Sequence, residues 1–156
     1  WKNRDYRIEV YAYEENVPLI SSKDILKDIS MKNHLHSEDA AKPVASYSQA
    51  VRAGELVFVS GCIPLNPATG ELVADSIETA TAQSLANVKS ILNGAGLGLE
   101  NIVKASVFMI NSDDYMGMDQ VYASTLPKPY PAREAVFVAS LPKGAIVEIS
   151  VIAKVN

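Results

Sequence analysis

Residues 131–149, PAREAVFVASLPKGAIVEI, decide the fold of this chain. Side chains in a strand point alternately to opposite faces, and apolar residues follow that alternation on both sides of residues 141–144. Those four residues, LPKG, combine a proline and a glycine, which favours a turn. The apolar face after the turn consists of Val147, Ile149 and Val151. The pattern predicts two strands joined as a hairpin.

Two charged residues interrupt these apolar strands. Arg133 lies before the turn, on the same face as Ala135 and Phe137, and Glu148 lies after it. Burying a lone charge is costly, so each residue is expected to have a partner or a ligand. The simpler alternative is that Arg133 and Glu148 pair with each other or are solvated on an open sheet face.

Length and composition describe an ordinary globular domain. A chain of 156 residues suits one domain. The net charge is -4, and the sequence shows no basic stripe that could bind the phosphates of a nucleic acid. Cys62 is the only cysteine, which excludes an intramolecular disulfide. His34 and His36 form an HxH pair without further cysteine or histidine ligands, so we expect no metal. No apolar run is long enough to span a membrane.

The first 40 residues differ from the rest and are predicted to be an N-terminal extension. Within it, residues 7–13, RIEVYAY, alternate like an edge strand, and residues 21–29 match a short helix. The extension contains acidic residues, unlike a mitochondrial transit peptide. We therefore expect a cytoplasmic location, with a mitochondrial one as the alternative.

Residues 41–156 are predicted to form the main domain. The predicted order is strand, strand, helix, strand, helix, strand, strand, with the elements beginning near residues 46, 56, 75, 102, 112, 131 and 146. This order indicates an α+β fold, a mixed sheet with two helices on one face. The other face would carry exposed Val, Phe and Ala, which favours self-association.

Three segments resemble the YjgF/RidA family, also called the L-PSP endoribonuclease family. They are SYSQAV at 46–51, LVFVSGCIPLNPATGEL at 56–72 and PAREAVFVASLPKGAIVEI at 131–149. Several spaced motifs agree in order, which is more specific than one short pattern. The resemblance covers about residues 41–155. It implies a fold like chorismate mutase of the Bacillus type, and a homotrimeric barrel with active sites in the clefts between subunits.

The resemblance also implies an activity, which is hydrolysis of reactive enamine and imine intermediates to a keto acid and ammonia. In this family the PAR arginine, here Arg133, is expected to hold the substrate carboxylate. Glu148 is expected to position or activate water, with Tyr47 beside it. The residues expected to line the substrate pocket are Ser60, Gly61 and Ala135.

Elementary chemistry agrees with these expected roles. A planar guanidinium offers two parallel donors to a carboxylate. Water adding to an imine carbon needs a proton acceptor beside the water and a donor beside the nitrogen, and a carboxyl near a phenol can provide both. We expect no organic cofactor, no metal and no nucleophilic side chain.

Several positions depart from the pattern of the family. Ala135 stands where a cysteine is frequent, so thiol chemistry at that position is excluded. Glu134 is expected to point to the opposite strand face from Arg133, or else to compete for its guanidinium. Asp119 replaces a frequent asparagine, and an acid near an anion site would weaken carboxylate binding.

Two other functions remain as alternatives at this stage. One is a non-catalytic module that binds a keto acid or amino acid in the same cleft, for which Arg133 with Ser60 and Gly61 would suffice. The other is an endoribonuclease, which lacks support in a chain with no basic groove and no histidine in the family domain.

Overall fold

A computed structural model describes residues 33–43 and 45–156, and these residues form one mixed sheet with helices packed on one face. The predicted edge strand at 7–13 and helix at 21–29 lie outside the described residues. The strands are β1 (Asn33–Leu35), β2 (Ala50–Ala53), β3 (Leu56–Cys62), β4 (Ile102–Met109), β5 (Ala132–Phe137) and β6 (Val147–Lys154). The α-helices are α1 (Ile77–Gly94) and α2 (Tyr115–Thr125).

The sheet has the order β1-β2-β3-β6-β4-β5 within the described part of the chain. All neighbouring strands are antiparallel except β4 and β5, which are parallel and are connected through α2. The predicted mixed sheet is therefore confirmed, and β2 and β3 form an antiparallel hairpin. The sheet begins before residue 41, because β1 pairs with β2.

The predicted hairpin of the two last strands is wrong, because β4 lies between β5 and β6. The segment connecting β5 to β6 instead crosses the end of β4. Val138 N donates to Met109 O at 2.8 Å, and Ile110 N donates to Ile146 O at 3.4 Å. A nearly continuous apolar strand such as β4 gains most from the middle of a sheet, where it is covered and paired on both edges.

The strand predicted at 46–51 begins only at Ala50. The side chain of Gln49 is buried and accepts a hydrogen bond from Ser37 N at 2.7 Å. Its amide nitrogen donates to Ser37 O at 3.1 Å and to Ala41 O at 3.0 Å. These bonds hold the backbone of residues 37–41 beside the start of β2, so residues 46–49 are irregular rather than extended.

The helix layer and one sheet face enclose the core. Helix α1 packs on β6 and β3, and α2 packs on α1. Tyr115 of α2 is only partly buried, whereas the two helices bury the following side chains in the core: Ile77, Leu85, Val88, Ile91 and Leu92 of α1, and Met118 and Tyr122 of α2. The largest fully buried side chains include Leu85, Leu92, Met109, Met118 and Ile149.

Ser76 begins α1 with a reciprocal capping box. Thr79 N donates to Ser76 Oγ at 3.3 Å, and Ser76 N donates to Thr79 Oγ1 at 3.1 Å. The cap is therefore Ser76 and not the neighbouring Asp75. At the other end, Gly96 has a φ of 72°, which a residue with a side chain resists.

The second face of the sheet carries no described helix. Large apolar side chains are exposed there, among them Phe58 at 43% and Val136 at 42%. A polar network interrupts this face, because Lys104 Nζ lies 2.7 Å from Glu134 and Ser106 Oγ donates to the same carboxylate. In the described part of the chain, no helix is both long and apolar enough to cross a bilayer.

We predict that Ser76→Ala lowers the free energy of unfolding by about 1 kcal/mol, because the variant leaves the N-terminal amides of α1 without their side-chain acceptor. Urea denaturation at fixed protein concentration measures the change. The matched control is Ser90→Ala, which removes the same hydroxyl inside the helix and away from its cap. Equal effects of the two substitutions would contradict the capping role.

Candidate functional site

Strand β3 contains a bulge at Ser60 and Gly61. Val59 is paired with Val151 and Cys62 with Ile149, so two residues of β3 face the one residue Ser150 of β6. The extra residue changes the alternation, which is why Val59 and Cys62 are both buried on the core side although they are three positions apart. The bulge brings the backbone of Gly61 toward the open face of the sheet.

The carboxyl group of Glu148 lies directly against this bulge. A Cβ at residue 61 would be only 1.7 Å from Glu148 Oε1, so any side chain there would displace the carboxyl group from its present position. Burial raises the pKa of the Glu148 carboxyl above its ordinary value, because the charged form loses hydration there. A carboxylate with a raised pKa is a stronger proton acceptor than an ordinary one.

Glu148 and Gly61 line one side of a cleft of about 280 Å³ on the open side of the bulge. The other lining residues are Ala45, Tyr47, Ser60, Ile63 and Pro142. The hydroxyl of Ser60 donates to Ser48 O at 2.7 Å, so its proton is engaged by the backbone. The structure thus brings together four of the predicted site residues, namely Tyr47, Ser60, Gly61 and Glu148.

A buried amide fixes the segment that follows the bulge. Asn87, on α1, donates to Ile63 O at 3.1 Å and to Leu65 O at 2.9 Å. The side chain of Gln83 donates in turn to Asn87 Oδ1 at 3.1 Å. These bonds connect the cleft wall at Ile63 to the helix layer, which holds the wall in place when the cleft is empty.

Cys62 is buried beneath the cleft and is a free thiol, as its lack of a partner cysteine requires. Burial, followed by the nearby charge of Glu148, raises the pKa of Cys62 to about 12. A thiol with this pKa is almost entirely protonated at neutral pH and is a poor nucleophile. Cys62 therefore acts as a small core residue here.

Arg133 lies elsewhere, on edge strand β5 and beside α2. Its Nη1 donates to Asp119 Oδ1 at 2.7 Å, and its Nη2 donates to the hydroxyl of Tyr115 at 2.9 Å. The guanidinium carbon also lies 4.6 Å from the centre of the Tyr122 ring. Burial alone would lower the pKa of Arg133, but the hydrogen bond to Asp119 and the neighbouring tyrosines raise it on balance.

Arg133 and Glu148 face opposite sides of the sheet. Arg133 is in register with Ala105 of β4, which is buried under the helices. Glu148 is in register with Phe108 of β4, three positions later and therefore on the open face. The alternative that these two charges pair with each other within one chain is wrong, because the partner of Arg133 is Asp119.

Two further residues were singled out beside Arg133. Ala135 is on the helix side, in register with Val107, so it accompanies Arg133 and not the cleft of Glu148. Glu134 points to the opposite face, as predicted, where it contacts Lys104 and Ser106. The alternative that Glu134 competes for the guanidinium of Arg133 is therefore wrong.

Sequence reasoning did not connect the tyrosines of α2 to Arg133. Tyr115, Asp119 and Tyr122 follow one another at spacings of four and three, so they share one helical face. An acid within an otherwise apolar stripe is the signal that a cation faces it. The strand that carries this cation could not be chosen before the sheet order was known.

The chain is similar to known proteins over most of its length. The family model described as endoribonuclease L-PSP matches residues 37–155. A RutC family protein of Pyrococcus horikoshii is 42% identical over 123 residues, which are 79% of this chain and 98% of the relative. The chloroplastic Reactive Intermediate Deaminase A of Arabidopsis thaliana is 33% identical over 146 residues, 94% of this chain and 78% of the relative.

A solved structure supports the same relationship. The crystal structure of Escherichia coli TdcF with bound serine superposes with a TM-score of 0.75 and 36% identity, and the match covers 80% of this chain and all of that chain, 100%. Together with the two helices and the mixed sheet of the described residues, this match confirms the predicted chorismate-mutase-like fold.

The raised pKa of Glu148 predicts a pH dependence of stability. The folded chain holds the neutral carboxyl more tightly than the unfolded chain does, so stability falls as the pH rises from the unfolded-state pKa through the folded-state pKa. The free energy of unfolding, measured by urea at a series of pH values, should therefore decrease more steeply for wild type than for Glu148→Gln over this window. Parallel curves would contradict the desolvation of Glu148.

Proposed function

Because the chain belongs to the endoribonuclease L-PSP family, also called YjgF/RidA, we propose that it hydrolyses reactive enamine and imine intermediates of the 2-aminoacrylate type to a keto acid and ammonia. The observation that carries the proposal is the carboxyl of Glu148, which has a raised pKa and lies against Gly61 in a cleft shared with Tyr47. A proton acceptor in a confined cleft is what the addition of water to an imine requires.

The proposed reaction proceeds in two steps. In the first, the oxygen of water bonds to the imine carbon while Glu148 accepts a proton from the water, and Glu148 then passes that proton to the nitrogen to give the carbinolamine. In the second, Glu148 accepts the hydroxyl proton as the carbon–nitrogen bond breaks and delivers it to the departing nitrogen, which leaves the keto acid and ammonia. Both protons of the water thus end on the nitrogen, and no net proton is left on the protein.

Arg133 is proposed to hold the substrate carboxylate. Its side chain is only 19% exposed, but three of the five N–H donors of the guanidinium have no acceptor among the described residues. Since Arg133 and Glu148 lie on opposite faces of one sheet, a single chain cannot direct both toward one small ligand. We propose that the site forms between subunits of a homotrimer, with Arg133 from one chain and Glu148 from its neighbour.

Two features support this assembly. The open sheet face exposes large apolar side chains such as Phe58 and Val136, which contact with another copy would cover. Arg133 lies on β5, the edge strand, so its donors are near the rim where a neighbouring chain can approach. The Arabidopsis relative named as a deaminase and the TdcF structure with bound serine support a small amino-acid-like ligand.

The endoribonuclease alternative has less support. Neither His34 nor His36 is among the residues that line the cleft. His34 lies 2.6 Å from Ser48 Oγ, and His36 lies 3.0 Å from Glu38, so both are engaged near the edge strand β1. The test of the proposed function is ammonia release from freshly generated 2-aminoacrylate, with RNA degradation measured on the same preparation. RNA degradation without ammonia release would overturn the proposal.

We predict that Arg133→Lys lowers the rate of ammonia release at low substrate by about ten- to hundredfold. Lysine keeps the charge but loses the paired donors and the stacking on Tyr122, so the carboxylate is held loosely. The matched control is Arg52→Lys, since Arg52 is exposed on β2 and its Nε donates to Gly54 O at 3.0 Å. Unchanged kinetics in Arg133→Lys would place the carboxylate anchor elsewhere.

We predict a homotrimer whose sites are shared between chains, and a mixing experiment tests both points. Arg133→Lys and Glu148→Gln are each expected to keep at most about one tenth of wild-type activity, but equal mixtures reassembled from unfolded chains should reach about one quarter of it. This fraction follows because one site in four would pair an intact Arg133 with an intact Glu148 from the next chain.

Light scattering on the same samples gives the oligomeric state. A mass of one chain at micromolar concentration, or a mixture that is no more active than its components, would contradict the shared site.

A further inference from the structure

We infer that Asp119 determines the charge selectivity of the Arg133 site, so that the site favours ligands with zero net charge over anions. The inference rests on the proposed function for the position of the ligand, because it assumes that Arg133 holds a substrate carboxylate. It goes beyond that function because it identifies Asp119 as the residue that makes the site bind the substrate more tightly than the product. The property that decides the difference is the net charge of the ligand.

The contact between Asp119 and Arg133 is direct and partly protected from solvent. Asp119 Oδ1 lies 2.7 Å from Arg133 Nη1, and the side chains are 40% and 19% exposed. Tyr115 and Tyr122 cover other parts of the guanidinium. In this environment an ion pair is screened less than on an open surface.

The ion pair with Asp119 leaves Arg133 with unused N–H donors, but the pair as a whole has no net charge. Only two of the five N–H groups of Arg133 are used by Asp119 and Tyr115, so a carboxylate can still bind through the others. The positive charge that would attract the carboxylate is already balanced by Asp119. A second carboxylate must therefore share one guanidinium with the first, and the two anions repel each other.

A ligand that carries its own positive charge avoids this repulsion. When its carboxylate binds Arg133, a protonated nitrogen two bonds from the carboxyl carbon remains within a few ångströms, where the half-exposed Asp119 attracts it. The protonated imine of a 2-imino acid is such a zwitterion, and so is an amino acid. The keto acid product has the carboxylate alone, so Asp119 promotes its release.

The experiment is calorimetric titration of the full chain in its native assembly state. The ligands are serine as the zwitterion and 2-oxobutanoate as the anion. Asp119→Asn keeps the shape and an acceptor for Arg133 Nη1 but removes the charge. We expect this variant to bind 2-oxobutanoate about tenfold more tightly, or about 1.4 kcal/mol, while its affinity for serine changes less than about threefold. A merely structural effect would shift both ligands together.

The matched control is Asp113→Asn, which removes an exposed acid from the turn before α2 without touching Arg133. It should leave the ratio of the two affinities as in wild type. A ratio in Asp119→Asn that equals the wild-type ratio would overturn the inference, whether or not the protein releases ammonia. A shifted ratio in a protein that releases no ammonia would support the inference and overturn the proposed reaction.

Discussion

The alternation of side chains along β4 and its neighbours is the constraint on which the rest of this structure depends. Ala105 and Phe108 of β4 are three positions apart, so their partners Arg133 and Glu148 point to opposite faces. One charge faces the helix layer and contacts Asp119, and the other faces the bulge at Gly61. A chain organised in this way presents two half-sites on opposite faces, which the proposed assembly would bring together.

A different local packing arrangement holds each half-site in place. The Glu148 half depends on a missing side chain, because any Cβ at residue 61 would occupy the space of the carboxyl oxygen. The Arg133 half depends on the opposite principle, since aromatic rings and an acid surround the guanidinium and restrict its rotamers. The first arrangement leaves space beside the carboxyl group of Glu148, and the second holds the N–H donors of Arg133 in one orientation.

Much of this fold could be predicted from local patterns. The apolar stripe of α1, the turn before β3 and the mixed sheet follow from periodicity and turn residues, which depend on near neighbours in the chain. The place of β4 between β5 and β6 could not, because it is decided by competition among strands distant in sequence. The start of β2 was missed for a related reason, as Gln49 uses its amide to hold residues 37–41. For the site, the residue types were identified from the family resemblance, whereas their separation onto two faces required the register.

The polar network on the open sheet face has a consequence for how copies could align. Apolar contact is non-directional, so a face made only of side chains such as Phe58 would tolerate sliding of one copy against the next. Lys104, Ser106 and Glu134 satisfy one another within that face. A displaced copy would cover this ion pair with apolar groups and remove its hydration, at a cost that the apolar contact does not return. In the proposed trimer, the network would therefore restrict the registers in which two copies can dock.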